Sequence, residues 1–177
     1  MAKALVVFGS KYGSTHEVAQ AIADGLEADI ANVGSYPDVR PYDLVVIGSP
    51  IYGGNYLKAV LDFVRANRQF LAKKKVAAFV TAAADMERQI GLTGEEDNRQ
   101  YTQQDYADGL AQLAGGQIVG TGGFGGRLVP EQLDEMDRNT LDWFYRFLMN
   151  EPLKGFDLLD FPAAHRWGEE LRQSISG

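Results

Sequence analysis

Residues 4–15 read Ala4-Leu5-Val6-Val7-Phe8-Gly9-Ser10-Lys11-Tyr12-Gly13-Ser14-Thr15, and the fold is decided there. Five consecutive apolar residues, rich in β-branched and aromatic types, describe a short strand buried on both faces, as at the centre of a parallel sheet. Glycine and hydroxyl residues then describe a turn. Beyond it Val18, Ala19, Ile22, Ala23 and Leu26 recur at the spacing of one helical face. Strand, loop and helix thus follow one another directly.

The same unit repeats outward along the chain. A weaker strand is expected near residues 30–33 and a strong one over 44–47, ending in Gly48-Ser49-Pro50. Leu57, Val60, Leu61 and Val64 then mark a second helix. A further apolar run at 76–80 leads into Thr81-Ala82-Ala83-Ala84-Asp85. Residues 85–105 carry six acids and two arginines with few large apolar groups, the pattern of a surface excursion with one helical turn. Helical spacing returns at Tyr106, Leu110 and Leu113, and a last strand begins at Gln117 and runs into a glycine-rich stretch. Alternating strands and helices predict an α/β fold: a doubly wound, five-stranded parallel sheet with helices on both faces. Two closing helices, over about 133–149 and 163–175, form a helical extension packed on it, with Trp167, Leu171 and Ile175 as the inner stripe of the second.

With 177 residues, 45% of them hydrophobic, the chain is expected to form one domain over 1–177, its last part (133–177) being the extension. It has no cysteine, which excludes disulfides, thiolate catalysis, iron–sulfur clusters and cysteine zinc sites together. Redox chemistry would therefore need an organic cofactor. With only His16 and His165 as histidines, a histidine metal site is a poor candidate. The net charge of −7 disfavours nucleic acid as a partner and favours basic proteins. The first apolar run is too short for a signal peptide or a membrane span, so a cytoplasmic location without stable membrane insertion is expected.

The first loop has the makings of a phosphate cradle. Backbone amides and the helix dipole converge on an anion at a helix N-terminus, and Ser10, Ser14 and Thr15 add hydroxyl donors. Hydrogen bonds to a charged acceptor contribute roughly 1.5–3 kcal/mol each, so a few suffice. Gly-x-x-x-x-Gly-Lys-Ser/Thr is absent, and a phosphomonoester without metal suits the loop better than a nucleoside triphosphate. The alternative is that Ser14 or Thr15 merely caps the helix.

Phe8-Gly9-Ser10-Lys11-Tyr12-Gly13-Ser14-Thr15 resembles the FMN phosphate loop of the flavodoxin family. Ser49-Pro50-Ile51-Tyr52-Gly53-Gly54 is similar to that family's second cofactor loop, and Thr81, Ala82, Ala83, Ala84 and Asp85 occupy the place of the third. Within this superfamily the chain is similar to the branch that includes menaquinone-dependent protoporphyrinogen oxidase. That likeness rests on Ile51-Tyr52-Gly53 and the following helix, and on Gly122-Gly123-Phe124-Gly125-Gly126-Arg127-Leu128 and the aromatic helix after it. The resemblance implies FMN held beyond the carboxyl ends of the strands, with Ser10, Lys11, Tyr12, Gly13, Ser14 and Thr15 at the phosphate. It implies Tyr52 against the ring, and a peptide at Gly53-Gly54 able to reorient and favour a half-reduced flavin; the two glycines alone equally describe a plain turn. Asp85 would reach the ring or ribityl chain, or else cap a helix. A redox protein or a quinone would be the partner. The acidic 85–105 excursion departs from that basic, membrane-associated oxidase.

Other signals compete. Gly120-Thr121-Gly122-Gly123-Phe124-Gly125 matches the dinucleotide fingerprint, but in a chain with 20 glycines and after the last strand it reads better as a flexible or bulged strand end. Residues 141–149 hold Trp143, Phe144, Tyr145 and Phe147, more apolar surface than one stripe needs. A helix buried between the sheet and the last helix is the commoner explanation; a homodimer contact or peripheral membrane contact comes second. His16 is expected to be an exposed helical histidine, and Ser49 lacks the Gly-x-Ser-x-Gly elbow of a nucleophile. Three readings therefore stand: an FMN electron-transfer protein or oxidoreductase, a quinone-linked enzyme acting on a porphyrinogen-like substrate, and a flavodoxin-shaped interaction module without cofactor.

Overall fold

The computed structural model describes residues 2–82 and 101–177. Among them, six strands form one sheet: β1 (Ala4–Phe8), β2 (Asp29–Asn32), β3 (Leu44–Tyr52), β4 (Asn55–Tyr56), β5 (Lys75–Ala82) and β6 (Gln117–Gly125). Five of these run parallel in the order β2-β1-β3-β5-β6, and β4 folds back antiparallel on the end of β3. This is the flavodoxin-like order, in which the winding reverses between β1 and β3.

Among the described residues five α-helices accompany the sheet: α1 (Ser14–Leu26), α2 (Lys58–Leu71), α3 (Gln103–Ala114), α4 (Glu135–Phe147) and α5 (Phe161–Ile175). Side chains alternate across the central strands with a period of two. Leu5, Val7, Val45, Ile47, Ala78 and Val80 pack towards α2 and α3. Val6, Phe8, Val46, Ala77 and Phe79 pack towards α1 and α5. The strands read as continuous apolar runs because helices cover both of their faces. Each large side chain so buried contributes about 1.5–3 kcal/mol.

Helices α1 and α5 meet backbone to backbone. A Cβ on Gly25 would lie 2.1 Å from the His165 carbonyl oxygen, and one on Gly168 would lie 2.3 Å from that of Ile22. From this crossing α5 sends Trp167 and Leu171 over β6, where a Cβ on Gly120 would meet Leu171 at 2.8 Å and one on Gly122 would meet Trp167 at 3.2 Å. The glycine-rich run is thus not a dinucleotide loop but part of β6, and the expected bulge is present as a register shift between Ile118 and Gly120, opposite Val76 and Ala77 of β5. The run is paired with β5 up to Ala82↔Gly125. Its glycines make the floor on which Trp167 stacks edge-on with Phe79 and Phe124.

Other expectations need correction. Strand β3 does not stop at residue 47 but continues through Ser49, Pro50 and Ile51, held by pairing as far as Pro50↔Thr81 and by the β4 return. Leu113 is exposed, and α3 turns Ala107, Leu110, Ala111 and Ala114 inward instead, because small residues let it lie close to β5 and β6. Helix α4 has no buried residue, so its aromatic run is not core. The expected place between the sheet and the last helix does not exist, because α5 packs directly on α1 and β6.

Candidate functional site

The carboxyl ends of β1, β3 and β5 come together at the winding reversal, and the Gly9 amide donates to the Gly48 carbonyl at 3.2 Å to lock the first two. The loop after β1 is shaped by its own side chains. The Ser10 hydroxyl accepts from the Gly13 amide at 2.9 Å, and Gly13 adopts the left-handed conformation, φ 97°, that lets the chain turn abruptly into α1. No side chain caps the first turn of α1, so the amides of Ser14, Thr15 and His16 at its start have no capping partner beside the Ser14 hydroxyl. The Thr15 side chain is turned the other way: it is fully buried and shares a 2.8 Å hydrogen bond with the Thr81 hydroxyl at the end of β5. His16 is exposed and stacks on Phe8, ring centroids 4.8 Å apart.

In the second loop Ser49, Pro50 and Ile51 are buried, and Tyr52, Gly53 and Gly54 form the projecting tip. The Ser49 hydroxyl accepts from the Leu57 amide at 3.0 Å and donates to the Pro50 carbonyl at 2.8 Å, closing the hairpin onto α2. Gly53 and Gly54 both have positive φ, 54° and 77°, the two-residue turn that a tight hairpin between Tyr52 and Asn55 requires. Tyr52 meets Tyr12 edge to face at 6.2 Å, so the first two loops form an aromatic rim. Burial, with Tyr12 nearby, pushes the Tyr52 phenol up to about 12. Both tyrosines therefore stay neutral donors at ordinary pH; Tyr12 too is raised, by burial first and then by its bond to Asp137.

The third loop is described only at its start. The Ala82 carbonyl accepts from the Gly126 amide at 3.0 Å and from Gln103 Nε2 at 3.1 Å. Ala83, Ala84 and Asp85 lie outside the described residues, as does most of the 85–105 excursion; Thr102 and Asp105, at its end, form a capping box that starts α3.

Residues that sequence reasoning missed enclose the first loop. Lys11 Nζ is 2.5 Å from Asp137 and 2.8 Å from Asp134. Tyr12 donates its hydroxyl proton to Asp137 and accepts from the Asp134 amide at 3.3 Å. The first turn of α4 is thereby hooked onto the loop. The two carboxylates raise the Lys11 ammonium above its ordinary value, Asp134 more than Asp137, and Asp134 is held low by the Asp137 amide and then by Lys11. On the other side two short strands pair, β7 (Arg127–Leu128) with β8 (Phe156–Asp157), and Arg127 bridges Glu17 at 2.9 Å and Asp157 at 3.0 Å. Gly126 brings this turn within 3.8 Å, measured from a Cβ position, of the Ser14 hydroxyl. Lys11 and Arg127, the cations flanking this loop, are each paired with two acids. The Asp-x-x-Asp spacing at 134–137 is the only local signal for the α4 hook, and it marks a helix start rather than a site.

A family model described as a flavodoxin domain matches residues 5–152. Protoporphyrinogen IX dehydrogenase (quinone) of Escherichia coli strain K12 is 39% identical over 70 residues, which are 36% of this chain and 39% of that enzyme; the chain thus spans well under half of the length of this relative. Among solved structures, a flavodoxin from the domain Archaea superposes with a TM-score of 0.59 at 15% identity, covering 99% of both chains. Oxidised flavodoxin 1 of Bacillus cereus gives 0.58 at 17% identity, covering 98% of this chain and 99% of that one. At such identities the two structures show a shared fold alone.

Proposed function

The chain belongs to the flavodoxin-domain family, and from that premise we propose that it binds FMN across the carboxyl ends of β1, β3 and β5 and serves as an electron-transferring flavoprotein. The observation that carries the reading is the uncapped first turn of α1, opening between Ser10 and Ser14 and next to the Tyr12–Tyr52 rim. One end of such a site suits a phosphomonoester and the other a flat, apolar ring.

In this reading the amides of Ser14, Thr15 and His16 and the hydroxyls of Ser10 and Ser14 hold the phosphate; Lys11, engaged with Asp134 and Asp137, orders the loop instead of meeting the anion. Tyr12 and Tyr52 exclude water from the ring edge, and Thr15, through Thr81, keeps the first and third loops in register. Gly53 and Gly54 supply peptide groups at the hairpin tip, Ser49 serves as its brace with Pro50 and Ile51 beneath, and Ala82 anchors the third loop. FMN, when bound, supplies the redox chemistry as a one- or two-electron carrier.

The test is a titration of the apoprotein with FMN and with riboflavin, followed by quenching of flavin fluorescence. Two or more charge-assisted hydrogen bonds of roughly 1.5–3 kcal/mol make FMN bind at least about a hundredfold more tightly than riboflavin. Equal affinities, or no binding of either at micromolar protein, would overturn the reading and favour an interaction module.

A second reading, quinone-linked oxidation of a porphyrinogen-like substrate, is favoured by the 70-residue similarity to the E. coli dehydrogenase. Anaerobic transfer of electrons from the reduced protein to a soluble quinone, but not to a redox protein, would select it.

A further inference from the structure

Helix α4 carries an apolar stripe that is left exposed among the described residues. Met136 is 76% exposed, Trp143 53% and Phe147 72%, and with Thr140 between them they recur every three or four residues along one face. The rings of Trp143 and Phe147 lie side by side, tilted by 31° with centroids 5.7 Å apart. One border of the stripe is formed by Glu135, Asn139, Asp142 and Arg146, acidic in the first turn and basic in the last. Glu135 has no ion pair among the described residues, while Arg146 reaches only Asp142 on its own helix, 2.9 Å away.

This charge order is self-complementary in one arrangement. Two copies of α4 laid antiparallel, with the two-fold axis between Thr140 and Trp143, set Met136 opposite the partner's Phe147 and Thr140 opposite the partner's Trp143. The same register brings Glu135 beside the partner's Arg146, twice by symmetry, and sets Asn139 against the partner's Asp142. A parallel two-fold arrangement would set this border against the opposite one, of Asp137, Leu141, Phe144 and Leu148, and leave Glu135 and Arg146 unmatched across the pair.

We propose that this face of α4 is a self-association surface, through which two copies of the chain pair antiparallel. The helix is already held in place through its first turn by Lys11 and Tyr12, so little ordering is lost on pairing. An anionic lipid surface is the poorer occupant, because the border is half acidic and the chain carries a net charge of −7. Thirteen helical residues span about 20 Å and bury less than the roughly 800 Å² per partner of stable complexes, so dissociation in the micromolar range is expected. The proposal stands or falls independently of cofactor binding.

Sedimentation equilibrium of the full chain tests it, over about 1–200 µM. A monomer–dimer equilibrium is expected, weakened at least about tenfold by Trp143→Glu or Phe147→Glu, with far-UV circular dichroism as the check that the fold persists. Glu135→Arg alone should weaken the dimer, and adding Arg146→Glu should restore it to within about threefold of the parent. A monomer throughout the range, a dimer indifferent to Trp143→Glu, or a double reversal no better than the single one would each overturn the proposal. So would a monomer that pellets with phosphatidylglycerol or phosphatidylcholine vesicles through Trp143 and Phe147, which would assign the face to lipid.

Discussion

Replacing Thr15 by valine removes half of a buried hydroxyl pair. Thr15 is 0% and Thr81 3% exposed, and their oxygens lie 2.8 Å apart. Valine keeps the shape of threonine, so the loss is that of the hydrogen bond, about 1 kcal/mol, together with the stranding of the surviving hydroxyl, about 1–3 kcal/mol. Thr15→Val and Thr81→Val should therefore each lower stability by about 2 kcal/mol. The double variant strands nothing and should cost little more than one single change, leaving a coupling of about 1–2 kcal/mol. For a chain of this size, about 2–4 °C per kcal/mol, each single change lowers the melting temperature by about 4–8 °C. Urea unfolding of the protein without added flavin, followed by far-UV circular dichroism, measures the cycle. Strict additivity would refute the pairing. So would an FMN affinity that falls tenfold in Thr15→Val and not in Thr81→Val, since that would turn the Thr15 hydroxyl towards the cofactor.

Three further outcomes follow from the geometry. Gly48→Ala places a Cβ 2.0 Å from the Phe79 ring, fully buried between Phe124 and Trp167, and should destabilise by about 3 kcal/mol; Phe79→Leu in the same chain should recover part of that, and its failure to do so would discount the clash. Gly53→Ala forces a side chain into φ 54° and should lower stability by about 1–2 kcal/mol, read as a melting-temperature drop with the fold retained. Asp134 has a lowered folded pKa, so its stabilisation is present above the ordinary carboxylate value of about 3.9 and is lost as pH falls through the folded one; Lys11, raised, contributes fully below about 10.4 and is lost only as pH rises through its higher folded value. Asp134→Asn keeps the helix cap but not the charge: its melting temperature should fall below the parent's between about pH 5 and 9 and converge with it near pH 2, and a gap persisting there would contradict the ion pair.

Residues 4–8 were legible because a strand covered on both faces has no polar positions to blur it, and the same holds for β3 and β5. The stripe of Trp167 and Leu171 was equally plain, a periodic face on an otherwise polar helix. Gly120 and Gly122 were not, since glycine lacks the side chain by which a strand announces itself, and the reason for it here is a tryptophan more than forty positions on. The fate of the Thr15 hydroxyl is likewise decided by a partner 66 positions away. Helix α4 shows the limit from the other side: its composition announces apolar surface, but not that α5 packs directly on α1 and β6 and leaves no place between them where that surface would be buried.

The backbone contact between Gly25 and His165 has a consequence for the order in which the protein is completed. The β1–loop–α1 unit leaves the ribosome well before α5, yet α1 finds its neighbour there, and Glu27 is likewise tied to Arg172. The loop that opens α1 waits too, for Asp134 and Asp137. Contacts closing across more than a hundred residues are slow to form, because the entropy of the intervening chain is lost before they reward it. The nascent chain therefore carries α1 uncovered on one side until α5 has been made, and the loop that opens α1 gains its ion pairs only once α4 has followed.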